Sequence, residues 1–348
     1  MRPGAAHTTH VAEIATARPR EGEVPVRTLE VGVCGTDREI SEGLFGIAPA
    51  DDSVLVLGHE LLGIVERDGN GFSRGELVTA IVRRSCKHCR ACDEGAPDSC
   101  LTGDYSERGI TRLHGFAREL VAEDPAQLIG IPRSLGRLGV LAEPASICER
   151  GIRHAREIGG RQPWQLQRAL VIGAGAIGML STYLLRLAGL DVWTAALSPA
   201  GDPRAGLVAA SGARYVSTSA QPLSALREEV GGFDLVIEAT GNAQVMADSL
   251  GLLRRSGVAC LLGLDPRRQT VELDGRVIGV DAILENRVVF GSVNAHRVDW
   301  VAAVESLDRA RERWPEALEQ LVGLRVPLDR FAEAFGHSGV KATLVLDG

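Results

Sequence analysis

Four cysteines fall within fifteen residues: Cys86, Cys89, Cys92 and Cys100. The spacing C-x2-C-x2-C-x7-C gathers four thiolates on one short loop, able to close a tetrahedral shell around a single metal. Zinc suits four sulfurs where no redox change is demanded, and a closed shell leaves no open position for substrate. An iron–sulfur cluster is the competing metal, since C-x2-C-x2-C also occurs in ferredoxins. The lack of a proline after the last cysteine and of a second quartet counts against it. The other three cysteines, Cys34, Cys148 and Cys260, are scattered. In a reducing compartment such clustering points to metal binding rather than to a disulfide framework.

A second set of residues could hold a metal with a position left open. Cys34 stands in Val33-Cys34-Gly35-Thr36-Asp37, His59-Glu60 follows Gly58, and Glu143 precedes Pro144. Singly, each has an ordinary reading as a core thiol, a structural imidazole and a turn carboxylate. Together they supply the thiolate, imidazole and carboxylate of a catalytic zinc site. Cys148, close to Glu143 in sequence, is an alternative ligand.

Gly173-Ala174-Gly175-Ala176-Ile177-Gly178 follows the apolar run 169–172 and opens a helical pattern. Gly173 permits the tight turn, Gly175 lets the backbone approach a pyrophosphate, and Gly178 lets the helix pack against the strand. The motif alone is weak, but it lies among alternating strands and helices, which favours dinucleotide binding. The second strand is followed by Ala196-Leu197-Ser198, with no carboxylate for a ribose 2′-hydroxyl. Ser198 and Arg204 could instead meet a 2′-phosphate, so NADP is favoured slightly over NAD; a solvated surface charge is the competing reading of Arg204.

The elements that must position these groups divide into two textures. Residues 24–145 read as short strands broken by glycine (24–33, 54–57, 61–65, 77–82, 116–121), an irregular all-β or α+β region. From 169 onward, strands (169–172, 191–197, 215–218, 235–239, 258–264, 288–293) alternate with helices (176–187, 205–211), implying a parallel sheet covered on both faces. The tail carries a polar helix, 301–313, and a closing strand, 342–346. The chain of 348 residues suits two domains. The Gly-Gly-Arg-Gln-Pro segment 159–163 is the best joint, giving domains 1–163 (completed by 294–348) and 164–293. A formal charge of −7 argues against nucleic-acid or anionic-membrane partners. The basic run around Cys86 is too small a patch to change that. Residues 1–7 lack the apolar core of a signal peptide, and no apolar run approaches about 18 residues, so a cytoplasmic protein is expected.

In order and type, Cys34-Gly35-Thr36-Asp37, Gly58-His59-Glu60, the cysteine quartet and the glycine loop resemble the zinc-containing medium-chain dehydrogenase/reductase superfamily. Residues 33–40 (VCGTDREI), Arg83-Arg84, residues 107–110 and Val293-Asn294 look most like its archaeal-type glucose dehydrogenase branch. The resemblance implies an α/β protein: a GroES-like β-rich catalytic domain plus a Rossmann domain with a doubly wound parallel sheet. It implies two zinc ions per chain, NADP or NAD, and a homodimer or homotetramer. Cys34, His59, Glu60 and Glu143 would surround the catalytic zinc, with a substrate hydroxyl or water in the remaining position. Thr36 would pass the hydroxyl proton towards solvent, and Asp37 would hydrogen-bond the second nitrogen of His59. Thr240 and Asn294 would touch the cofactor, and Glu107, Asn294 and His296 would bind sugar hydroxyls. The implied reaction is hydride transfer between nicotinamide and an aldose such as glucose. The segment 293–300 departs from the branch pattern, which keeps open a polyol, cyclitol or secondary-metabolite alcohol. A non-catalytic zinc and dinucleotide sensor is the reading of a different class, and it would require the catalytic ligands to be lost.

Overall fold

The computed structural model describes residues 1–267 and 269–346; Arg268 and the last two residues of the expected 294–348 segment lie outside that description. The chain forms two compact units, one of residues 1–146, 294–308 and 322–348, the other of 147–293 and 309–321. In chain order the first contains β1 (Val24–Val33), α1 (Gly35–Ser41), β2 (Glu60–Val65), β3 (Leu77–Ala80), β4 (Arg83–Arg84), α2 (Arg90–Asp93), β5 (Ser106–Arg108), β6 (Arg112–Leu113), β7 (Leu120–Glu123) and β8 (Leu128–Ile131). Then α3 (Ala142–Gly159) carries the chain into the second unit. There follow β9 (Arg168–Ile172), α4 (Ala176–Leu187), β10 (Asp191–Ala196), α5 (Pro203–Ala210), β11 (Arg214–Ser217), α6 (Leu223–Val230), β12 (Phe233–Glu238), α7 (Ala243–Ser249), β13 (Leu253–Leu261) and β14 (Val288–Gly291). The chain closes through α8 (Arg297–Arg313), α9 (Pro315–Gln320), β15 (Val322–Pro327), α10 (Phe331–Gly336) and β16 (Lys341–Val345).

The first unit is built on a seven-stranded sheet ordered β15-β16-β1-β2-β3-β8, with β7 also pairing β1. The long β1 serves three neighbours: residues 24–27 bond β7, 30–33 bond β16, and its length bonds β2. Its Val24, Val26 and Val31 pack with Leu61, Val78, Phe116 and Leu128 in one core. A three-stranded sheet, β4-β5-β6, stands beside the cysteine loop in sequence. The second unit has a six-stranded sheet ordered β11-β10-β9-β12-β13-β14, with every pairing parallel. Its central strands are buried along nearly their whole length, with β12 fully so. Burial on both faces explains why they read as continuous apolar runs rather than as alternation.

The structure departs from several of these readings. Residues 54–57 are extended but belong to no sheet: Val56 and Leu57 carbonyls accept single bonds from Gly115 (2.7 Å) and Ala117 (3.0 Å). The strand expected at 116–121 begins only at Leu120. The segment around Glu143-Pro144 is not a turn but the first turn of α3, an 18-residue helix. Proline is tolerated there because its missing N–H would have no partner in any case. The division between units accordingly falls inside α3, at 146/147, rather than at 159–163, and residues 309–321 group with the second unit.

Candidate functional site

In the first unit, the end of β1 and the start of α1 present Cys34, and the start of β2 presents His59 and Glu60. The Cys34 Sγ lies 3.2 Å from His59 Nε2. A tetrahedral zinc with bonds of about 2.3 Å to sulfur and about 2.0–2.1 Å to nitrogen sets such a pair roughly 3.5 Å apart. The other ring nitrogen, Nδ1, faces Asp37 Oδ1 at 3.5 Å. Asp37 is itself held by the backbone N–H of Cys34 (3.0 Å) and of Gly58 (3.3 Å), so one buried carboxylate orients both ligand segments. Thr36 is half-buried on the first turn of α1.

Burial, reinforced by Asp37, pushes the Cys34 thiol up against the pull of His59. Burial also pushes Glu143 up to about 7, with His59 pulling the other way. A thiolate and a carboxylate kept in such a place call for a cation. The ligand atoms of Cys34, Asp37 and His59, and those of His59, Glu60 and Glu143, lie within 4.8 Å of one another in two groups that share His59. The donor set therefore fits a zinc ion. Cys148, the alternative ligand, is instead buried in the second unit with its Sγ 3.4 Å from the Ile177 carbonyl.

One residue of this site was not expected. Lys341, at the start of β16, is fully buried; its ammonium binds both carboxylate oxygens of Glu60 and donates to the Val33 carbonyl at 3.2 Å. Burial alone would pull Lys341 down, but Glu60 and Cys34 outweigh it and hold it above its ordinary value. The carboxylate reaches this position across Gly32, where any Cβ would collide with it. The signal available in the sequence was a lysine opening an otherwise apolar strand.

The quartet also assembles. The sulfurs of Cys86, Cys89, Cys92 and Cys100 lie within 4.8 Å of one another, and Cys89 and Cys100 are 3.9 Å apart. Tetrahedral zinc–sulfur bonds of about 2.3 Å require a separation of roughly 3.8 Å, so the loop fits one zinc. None of the seven cysteines is in a disulfide. Four of the basic residues nearby are engaged with acids: Arg83 with Glu107, Arg84 with Glu123, His88 with Asp104 and Arg90 with Glu94.

Glu107 and Asn294 are brought together, the Asn294 amide donating to Glu107 Oε1, which also accepts from Arg83 at 3.0 Å. Asn294 adopts φ 63°, a left-handed conformation that asparagine tolerates better than most residues. His296 does not join this pair. Its Nε2 lies 3.1 Å from the Gly95 carbonyl, and its Nδ1 accepts from the Val298 N–H at 3.4 Å.

In the second unit, Gly173 has φ 113°, Gly175 caps α4, and Ala176, Ile177 and Gly178 form its first turn. A Cβ on Gly178 would fall on the Gly173 carbonyl. The first-turn N–H groups of a helix lack intrahelical partners, which makes this a cradle for phosphate. Thr240 is exposed on the turn after β12. Ser198 and Arg204 meet around a residue passed over in the sequence, Asp202, which caps α5 and holds the Arg204 guanidinium by two bonds of 2.9 and 2.8 Å. The region following β10 therefore does contain a carboxylate, brought back by the turn into α5.

Residues 20–133 match the alcohol dehydrogenase GroES-like domain, and residues 136–346 match the glucose dehydrogenase C-terminus. The chain is 40% identical to the glucose 1-dehydrogenase of Methanocella arvoryzae, over 96% of this chain and 94% of that one. It is 37% identical to the glucose 1-dehydrogenase of Thermoproteus tenax, over 99% and 97%. Among solved structures, it resembles Haloferax mediterranei glucose dehydrogenase in complex with NADP, Zn and gluconolactone, with a TM-score of 0.90, 30% identity and all of both chains covered. The chain belongs to the zinc-dependent, NAD(P)-linked medium-chain dehydrogenase/reductase superfamily, in its glucose dehydrogenase-like branch.

Proposed function

We propose that the protein oxidises the anomeric carbon of an aldose, glucose being the first candidate, to the lactone with NADP or NAD. The observation that carries this reading is the meeting at His59 of two potential ligand groups, Cys34 with Asp37 on one side and Glu60 with Glu143 on the other. When bound, zinc would supply Lewis acidity that favours loss of the sugar hydroxyl proton, and a nicotinamide cofactor would supply the hydride acceptor. Cys34 and His59 would hold the metal with Glu60 and Glu143 as its carboxylate partners, Asp37 orients the His59 ring, and Lys341 offsets the charge of Glu60. Thr36 takes the hydroxyl proton and passes it to solvent. Glu107 and Asn294 offer an acceptor and a donor side by side, a pattern that matches two neighbouring sugar hydroxyls, whereas His296 is occupied with Gly95. The quartet holds a second zinc that braces its loop. The Gly173–Gly178 cradle takes the pyrophosphate, with Thr240 beside it, and Ser198 and Arg204 face the 2′ position.

We further propose a homo-oligomer joined through β14, which among the described residues pairs only with β13 and ends the sheet. Ile283 and Leu284, just before it, are 69% and 67% exposed, and covering them with a second copy would remove apolar surface from water. The reduced cysteines that zinc requires support a cytoplasmic location. Among the described residues, no helix is long and apolar enough to cross a membrane.

Metal analysis and steady-state assays against aldoses, polyols and cyclitols with both cofactors test the reading. Two zinc ions per chain are expected, with kcat/KM greatest for an aldose. Turnover retained by the Cys34→Ala/His59→Ala double variant would sink the zinc mechanism, and a polyol or cyclitol preferred over every aldose would move the substrate.

A further inference from the structure

The second unit buries an acid that neither the zinc cluster nor the glycine loop accounts for. Glu238 ends β12 and has no exposed surface. In the sheet it lies opposite Leu261 of β13 and opposite Ile172 of β9, the residue immediately before Gly173. The strand order reverses between β9 and β12, and open α/β sheets bind ligands outside the carboxyl ends of their strands at such a switch. A carboxyl group thus sits at the rim where an anionic dinucleotide is expected, an unfavourable place for a charge without a task.

Its contacts define a tether. Glu238 Oε1 accepts from the Thr240 backbone N–H at 2.7 Å and from the Thr240 hydroxyl. Thr240 Oγ1 accepts in turn from the Asn242 N–H at 3.0 Å. Asn242 Oδ1 accepts from the N–H groups of Gln244 (3.0 Å) and Val245 (3.1 Å) and so caps α7. On the other side, Leu262 and Gly263 donate to the Glu238 carbonyl at 2.8 and 3.1 Å. Burial raises the acid's pKa against the pull of its Thr240 bonds and of the Gly241 backbone N–H. The tethered turn touches the dinucleotide loop, since a Cβ on Gly173 would lie 3.1 Å from the Ala239 carbonyl oxygen and 3.2 Å from Thr240 Cγ2.

We propose that Glu238 is a positioning residue of the cofactor site, clamping residues 239–242 against the Gly173 loop so that turn and loop form one wall for the dinucleotide. Thr240 is exposed, and these bonds hold its hydroxyl and backbone in place. A carboxyl oxygen suits the task because a single acceptor takes two donors from the same residue.

The inference rests on the dehydrogenase reading, and binding separates the two. NADPH and NADH are titrated into the zinc-loaded protein by nucleotide fluorescence, alongside steady-state kinetics and thermal melts without cofactor. Glu238→Ala is expected to raise cofactor Kd and KM about tenfold, the size of a lost hydrogen bond to a charged group, with kcat and sugar KM nearly unchanged. Glu238→Gln keeps a carbonyl oxygen for both Thr240 bonds and should return Kd to within about threefold of the parent. Thr240→Val, at an exposed position where folding is not at stake, should weaken binding about threefold. Unchanged cofactor affinity in Thr240→Val, or a loss of thermal stability in Glu238→Ala with Kd unmoved, overturns the proposal. A parent protein that binds neither nucleotide overturns the dehydrogenase reading, and this inference with it.

Discussion

Replacing Lys341 with methionine would keep most of the buried volume and remove the cation that faces Glu60. Both side chains of that pair are 1% exposed, so the orphaned carboxylate could not turn to bulk water. Removing one partner of a buried ion pair costs ~3–5 kcal/mol. For a unit of this size each kcal/mol moves the midpoint by about 2–4 °C, so the metal-free protein should melt roughly 6–20 °C lower. The double variant Lys341→Met/Glu60→Leu removes both charges and should recover most of that loss, because two well-packed apolar groups need no desolvation to be offset. Calorimetry of the zinc-free proteins would measure the stability terms, and zinc titration of the single variant should show the freed Glu60 competing for the metal. A single variant that melts within about 2 °C of the parent, or a double variant no better than the single, would refute the assignment of Lys341 as the counter-ion.

Two more outcomes follow from the same geometry. Glu143 is pushed by burial to about 7, above the ordinary 4.5, so the folded metal-free chain keeps a proton that the unfolded chain releases between those values. Its contribution to stability is therefore full below about pH 4.5 and is lost as pH rises through about 7. Melts of chelator-treated protein should weaken over that window, and Glu143→Gln should flatten the slope; an equal slope in the variant contradicts the account. If Arg204 faces the cofactor's 2′ position as proposed, Asp202→Asn releases it from a partly exposed pair of the kind that contributes ~0.2–1 kcal/mol. The ratio of kcat/KM for NADP over NAD should rise by up to about fivefold, and an unchanged ratio would mean that Asp202 does not face the ribose.

What the sequence determined by itself was everything encoded in short spacing. The quartet from Cys86 to Cys100 lies on one loop, so covalent reach alone brings its sulfurs together. The glycines 173, 175 and 178 act within one strand–turn–helix, and α4 spans the residues its pattern indicated. The parallel sheet was legible because strands buried on both faces leave continuous apolar runs. Short-range pattern misled where the local signal was ambiguous. The turn that a Glu-Pro pair can mark was only one reading of Glu143-Pro144, which lies in the first turn of a helix, and the apolar run 54–57 stayed outside the sheets.

Tertiary structure decided the partners that sequence distance hides. Lys341 meets Glu60 across 281 residues, Asn294 meets Glu107 across 187, and His296 turns to Gly95 rather than to either of them. Asp202 lies close to Arg204 in sequence, yet only the fold shows that it holds the guanidinium, and only the sheet register sets Glu238 beside the strand that leads into Gly173. The physical reason is the same in each case. A buried charge must find its counter-charge wherever the packed chain supplies one, and that location is a property of the whole fold rather than of the residues on either side.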